Sequence, residues 1–202
     1  NNDASEIIKI ELANLHSKEF AYNNIFARTR TNRRDTVNKV INELLNHDYI
    51  VRKRPLLLKE HKSSYLSIFS YIDPGIVTYL SAELGENEKK GFRIEGYVHA
   101  RLDHFVKNAS LKCELGYYKP HTIDKNNKVK YTPGEIDFIF KKGKKIIPIE
   151  VKTTDNLGQV NISHIITFLK EHKAAPFGII LYGGVPHLDI KNHLLYWPYW
   201  LV

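Results

Sequence analysis

The sequence predicts a mixed α/β chain in two parts: a small helix-rich unit with a two-stranded wing, then a mixed sheet flanked by helices. Three observations carry this. Apolar residues recur at helical spacing as far as Leu45, two short β-rich runs follow, and from Phe92 onward helix, strand, hairpin, helix and strand patterns alternate. A polar stretch, Glu86 to Lys90, reads as the joint, which sets the expected domains at residues 1–86 and 87–202.

In the first part, Ile7, Ile8, Leu12 and Leu15 recur at helical spacing between Ser5 and Ser17, with Ser5 placed as a cap. A short second helix is expected over Ala21 to Ala27. For the third, Thr31 or Asn32 stands as the cap, and Val37, Val40, Ile41, Leu44 and Leu45 form a stripe that ends near Asn46. Tyr49 to Arg54 and Tyr65 to Phe69, separated by a polar loop, read as paired strands. Three helices and such a wing outline a winged helix-turn-helix, whose third helix commonly enters the DNA major groove. The entry to that helix carries Arg28, Arg30, Asn32, Arg33, Arg34, Asn38 and Lys39, and the wing carries Arg52, Lys53, Arg54, Lys59 and Lys62. From Lys18 to Lys62 there are 11 basic and 5 acidic residues, a net of +6, which suits a phosphate-binding surface. The alternative is that the unit packs against a neighbour and its arginines are a solvated face.

Asp73-Pro74-Gly75 closes the wing and opens a helix to about Leu84, with Pro in the first turn. A longer helix is expected from Phe92 to Lys107, burying Ile94, Val98, Leu102 and Phe105. Glu95, His99 and Asp103 step along another face, either as metal ligands or as a solvated row. Leu111 to Lys119 reads as a strand, and His121 to Lys130 as a loop or hairpin extension. Asn161 to His172 is a helix through Ile162, Ile165, Ile166 and Leu169, and Phe177 to Tyr182 is a buried strand. Leu194 to Val202, with Pro198 inside it, is expected as an edge strand or packed tail.

The segment Pro133 to Lys152, PGEIDFIFKKGKKIIPIEVK, is the most unusual stretch. Two apolar runs flank a Lys/Gly turn at Gly143, the pattern of a β-hairpin. Alternation puts Asp137 with Ile139 on one strand face and Glu150 with Lys152 on the next, so that the hairpin brings all three polar groups to one side. Two carboxylates and a lysine beside apolar strands require a cation or a mutual network, and this marks a candidate site.

Composition bounds the rest. With 26% charged and 43% hydrophobic residues the chain is an ordinary globular protein, while a formal charge of +8 and a pI near 9.4 favour an anionic partner. No apolar run approaches the roughly 20 residues of a membrane span. A single cysteine, Cys113, excludes an internal disulfide and a Cys-based zinc cluster, is expected as a buried filler, and suits a reducing, cytoplasmic setting. No signal or transit sequence opens the chain. It starts at Asn1 and holds no Met, the pattern of a piece of a longer protein. Self-association is left open.

An acid from a helix, an Asp on one strand and Glu-x-Lys on the next resemble the PD-(D/E)XK nuclease-like fold. That resemblance implies Glu95, Asp137, Glu150 and Lys152 as catalytic positions. Asp137, Glu150, the Val151 carbonyl and Glu95 would hold Mg²⁺ or Mn²⁺, and Lys152 would orient or help deprotonate a water and offset transition-state charge. IEGYVHARL at 94–102, LGYYK at 115–119, GEIDFIF, IPIEVK, ILYGG and YWPYWL are together similar to the C-terminal region of AAA-type ATPases that carry a DUF4143 domain. This implies a winged helix followed by a nuclease-like domain: a divalent-metal-dependent DNA endonuclease hydrolysing phosphodiesters, or a catalytically silent DNA- or protein-binding module. The ATPase half is not in this chain, and without a GxxxxGK[ST] loop no ATP site is expected. Two departures stand out: Arg101 occupies the place of a second acid usual in the helix, and residues 121–130 look inserted.

Overall fold

The computed structural model describes residues 2–20, 25–26, 34–56, 67–81, 86–109, 112–123 and 129–202. It divides into two compact units, residues 1–53 with 66–103, and residues 54–65 with 104–202.

The first unit contains α1 (Asn2–Asn14), β1 (Glu19–Phe20), α2 (Arg34–Asn46), β2 (Ile50–Lys53), β3 (Ser67–Tyr71), α3 (Pro74–Leu80) and most of α4 (Glu86–Asn108). β3 is the middle of a three-stranded antiparallel sheet ordered β1-β3-β2, and all five of its residues are buried. The apolar stripe of α2 packs as its spacing predicts: Val37, Val40, Ile41 and Leu44 are buried with Ile8 and Leu12 of α1, Phe69 and Tyr71 of β3 and Val77 of α3. α1 starts earlier than expected, so Ser5 lies inside the helix rather than capping it. Asp73 caps α3 by accepting from the Gly75 N–H at 2.7 Å, with Pro74 filling a first-turn position that needs no donor. That helix stops at Leu80, short of Leu84, where Ser81 turns extended. The expected cap at Thr31 or Asn32, most of the helix at 21–27 and the wing loop at 57–66 lie outside the described residues, although Ile25 and Phe26 are helical.

α4 departs from expectation twice. Residues 86–90, read as a polar joint, are its first turns, because Glu and Lys are good helix formers whatever their polarity. Val98, His99 and Ala100 are buried in succession, spanning about 200° of the helix at roughly 100° per residue. The helix is therefore enclosed on more than one side there, and His99 is no solvated face. Phe105, expected in the buried stripe, is half exposed. Spacing gives the face of a helix but not how far along its axis the covering layer extends.

The second unit is built on a six-stranded mixed sheet ordered β10-β11-β9-β8-β7-β4. Its strands are β4 (Glu114–Tyr118), β7 (Ile136–Lys142), β8 (Lys145–Val151), β9 (Gly178–Tyr182), β10 (His187–Asp189) and β11 (Leu194–Pro198). A separate hairpin pairs β5 (His121–Ile123) with β6 (Val129–Tyr131). β4, β7 and β8 form an antiparallel meander, and β8 and β9 are parallel. A parallel neighbour needs a crossover, which α5 (Ser163–Glu171) supplies. Ile165 and Phe168 of α5 bury one face of the sheet through Ile139, Ile146, Ile180, Tyr182, Leu194 and Tyr196. The β7–β8 turn places Gly143 at φ 58°, a left-handed conformation that glycine takes without steric cost. Pro55 bridges Tyr117 beside β4, with Leu56 N–H donating to the Tyr117 carbonyl at 2.7 Å.

The C-terminal run is not at an edge. β11 lies between parallel β9 and antiparallel β10, and β10 was not foreseen at all. Pro198 misleads because a proline removes a ladder donor, yet it is the last residue of the strand. Cys113 is half-buried rather than a core filler.

Candidate active site

The hairpin register pairs Phe138 with Ile149 and Ile139 with Pro148, so Asp137 stands across from Glu150 on the next step of the ladder. Glu150 is in turn level with Ile180 of β9. Both acids therefore share the sheet face that carries Ile139 and Ile180, on which α5 packs.

Asp137 Oδ2 accepts the Val151 N–H at 2.7 Å, which ties the first acid to the backbone of the strand that bears the second. Glu150 is buried, at 3% exposed, and Lys152 Nζ donates to its Oε2 at 2.7 Å. The hairpin thus brings Asp137, Glu150 and Lys152 together, as its alternation predicts. Val151 lies between the two members of the Glu-x-Lys pair, and the Lys152 N–H continues the ladder to the Leu181 carbonyl at 2.8 Å. Among the described residues no group of three or more His, Cys, Asp or Glu side chains is gathered to hold a metal ion. Within the second unit the oxygen donors are two carboxylates and the Val151 carbonyl. An ionised carboxylate offers about four acceptor positions and can serve a cation alongside its hydrogen bonds. Mg²⁺ commonly takes only one or two carboxylates and completes its shell with water and substrate phosphate, so this set fits such an ion.

Glu95, the helix acid, has a different neighbour. In the first unit its Oε1 accepts from Lys53 Nζ at 2.8 Å, and the lysine side chain is 2% exposed. Lys53, expected on a phosphate-facing wing, is thus buried in an ion pair. The signal was present in the sequence: β2 runs Ile50-Val51-Arg52-Lys53, and in a strand of alternating faces one of two successive cations must turn inward. Arg52, the other, donates from Nε and Nη2 to Ser67 Oγ at 2.9 and 2.7 Å and lies over the Phe69 ring. On α4, His99 Nδ1 meets Ser70 Oγ at 2.9 Å, and Ser70 Oγ meets Ser17 Oγ at 3.0 Å, a buried polar chain that spacing alone did not reveal. Of the remaining expected DNA contacts, Arg34 and Lys39 are exposed on α2 and Arg54 is exposed after β2, while Arg28, Arg30 and Arg33 lie outside the described residues.

These features define a mixed α/β protein whose second unit carries an acid pair and a lysine on adjacent strands of its sheet. Residues 90–202 match the model of DUF4143, a domain of unknown function, and the chain belongs to that family. A search of curated proteins finds no match. Among solved structures, that of protein VC1899 from Vibrio cholerae is similar at 11% identity and a TM-score of 0.39. The match covers 98% of this chain and 50% of that one, so this chain spans about half the length of the Vibrio protein. Among the described residues no helix is long and apolar enough to cross a membrane.

Proposed function

We propose that the second unit is a PD-(D/E)XK-type nuclease domain that hydrolyses DNA phosphodiesters with a divalent metal, and that the first unit is a winged helix that holds the DNA. The observation that carries this reading is Asp137 facing Glu150 across a hairpin with Lys152 bonded to Glu150. The order helix, three-stranded meander, helix, parallel strand in α4, β4-β7-β8, α5 and β9 supports it as well. Asp137, Glu150 and the Val151 carbonyl would hold Mg²⁺ or Mn²⁺, while Glu95, expected as the helix-borne acid of the set, is paired with Lys53 in the first unit. Such an ion supplies Lewis-acid polarisation of the phosphodiester. Asp137 fixes the Val151 backbone through its hydrogen bond and so sets the spacing of Glu150 and Lys152. Lys152 Nζ, held by Glu150, orients the attacking water and offsets negative charge on the phosphate oxygens. Arg28, Arg30, Arg33, Arg34, Lys39, Arg52 and Arg54 belong to the proposed DNA surface; Lys53, being buried, does not.

A second reading rests on the Lys53–Glu95 pair: an acid already neutralised in the first unit suits a catalytically silent DNA- or protein-binding module of a larger AAA-type ATPase. Calorimetry with Mn²⁺, together with cleavage of plasmid and branched DNA, separates the two. The nuclease reading expects metal binding and cleavage in the wild type, both lost in Asp137→Ala and cleavage lost in Lys152→Ala. Wild-type protein with neither binding nor cleavage sinks it and leaves the module. For the winged helix, Arg33→Ala with Arg34→Ala should weaken DNA binding and flatten its salt dependence by about two phosphate contacts.

A further inference from the structure

We propose that the β10–β11 hairpin is a self-association surface, on which two copies of this chain pair their β10 edges antiparallel about Leu188. Among the described residues β10 closes one end of the six-stranded sheet and pairs with β11 on one side only. Leu194 and Tyr196 of the hairpin are buried, but Val185, Leu188, Ile190 and Trp197 are exposed, from 36% for Trp197 to 76% for Ile190, and Trp200 and Leu201 just beyond β11 are exposed as well. Large apolar groups clustered on one hairpin mark an interaction site, whereas single ones do not.

The composition of the hairpin points the same way. Residues 185–201 contain one acid, Asp189, and one base, Lys191, in a chain with a formal charge of +8, and they contain both of its tryptophans. Depletion of charge with enrichment in Trp and Tyr distinguishes interface cores from other surface. Leu188 is level with Leu195, and Trp197 follows two residues along β11, so these three share a sheet face that a paired strand would extend.

Register favours a second copy as the occupant. With the two-fold axis at Leu188, each Leu188 meets its counterpart and each His187 faces an Asp189, twice over. Moving the axis by one residue to Asp189 would set two carboxylates against each other, which is destabilising. The Asp189 carboxylate is held in place by Asn192, whose N–H and side-chain amide donate to its two oxygens at 3.0 and 2.6 Å. Because the hairpin is locally neutral, it is also where two copies of +8 meet with least repulsion.

Sedimentation velocity of the 202-residue chain over about 1–200 μM tests this. The expected result is a shift from the 23.5 kDa monomer towards twice that mass. Leu188→Lys should raise the dimer dissociation constant by ~30-fold or more, as loss of a central anchor does. His187→Lys should tighten the dimer and His187→Asp weaken it, opposite in sign to what net charge alone gives. These His187 variants, at an exposed position, keep the test decisive if Leu188→Lys misfolds. A wild type that stays monomeric throughout overturns the proposal, as does a dimer indifferent to Leu188→Lys. Reversed signs for the two His187 variants likewise overturn it and point to a foreign strand as the partner of this edge.

Discussion

Acidification should loosen the first unit through His16, and the size of the effect follows from its surroundings. The His16 side chain is fully buried between β3 and α4. Its Nδ1 accepts the Tyr71 N–H at 3.1 Å, and its ring lies so close to Gly96 that a Cβ there would come within 2.0 Å of Nε2. Burial lowers the pKa to about 4, with the Phe92 backbone acting in the opposite sense and the Arg93 charge adding to the depression. A histidine that stays neutral in the native state but protonates near 6.5 when unfolded makes the unfolded form the better proton binder between those values. Stability is therefore full above about pH 6.5, falls as the pH drops towards 4, and falls no further from this group below it. At 1.36 kcal/mol per pH unit the whole window is worth about 3 kcal/mol, and the step from pH 7 to 4.5 about 2 kcal/mol. Both tryptophans lie in the second unit, so the readout should be hydrogen exchange in peptides covering 2–20 and 86–103. His16→Asn keeps an acceptor near the Nδ1 position and removes the titration. The wild type should lose about 2 kcal/mol of protection relative to this variant between pH 7 and 4.5. Parallel pH profiles for the two proteins would refute the reasoning.

Two further substitutions probe the second unit. Asp137→Asn retains an oxygen for the Val151 N–H and should cost less than about 1 kcal/mol, whereas Asp137→Ala orphans that donor and should cost about 1–3 kcal/mol in urea unfolding. Both should abolish Mn²⁺ binding; a metal isotherm preserved in Asp137→Asn would remove Asp137 from the ligand set. Gly116→Ala would drive a Cβ to 2.3 Å from the Arg54 carbonyl and 2.5 Å from Leu56 Cγ, so it should cost about 2 kcal/mol or more. Fast exchange of the Tyr117 amide, now bonded to the Arg54 carbonyl at 3.0 Å, should accompany it, and an unchanged melting curve would argue against that close approach.

Local pattern made some elements legible and left others hidden, and the division has a physical basis. The β7–β8 hairpin was readable because register, face and turn are all set within about 20 residues: alternation fixes which acids meet, and Gly143 fixes where the chain reverses. The α2 stripe was readable for the same reason, being one face against one core. β11 was misplaced because strand order depends on which edge the last crossover reaches, and no local pattern carries that. β10 escaped because three residues, two of them polar, give too short an alternation to register.

The acids separate along the same line. Asp137 and Glu150 sit on neighbouring strands of one hairpin, so their meeting is a consequence of sequence-local geometry. Glu95 sits on a helix, and what a helix residue touches depends on the element packed beside it. Its spacing with His99 and Asp103 suggested a ligand row, but Lys53, 42 positions earlier, donates to it. A buried ammonium demands an anion more strictly than an exposed carboxylate demands a metal, since an unpaired buried charge costs several kcal/mol. Lys53 at 2% exposed therefore constrains Glu95 more tightly than any motif does. Replacing Lys53 by Met tests how the pair works. If the pair only supports the fold, the variant should lose stability with no change in Mn²⁺ affinity. If Glu95 is shared between Lys53 and a metal, Mn²⁺ affinity should rise in Lys53→Met and fall back in the double variant Lys53→Met with Glu95→Gln.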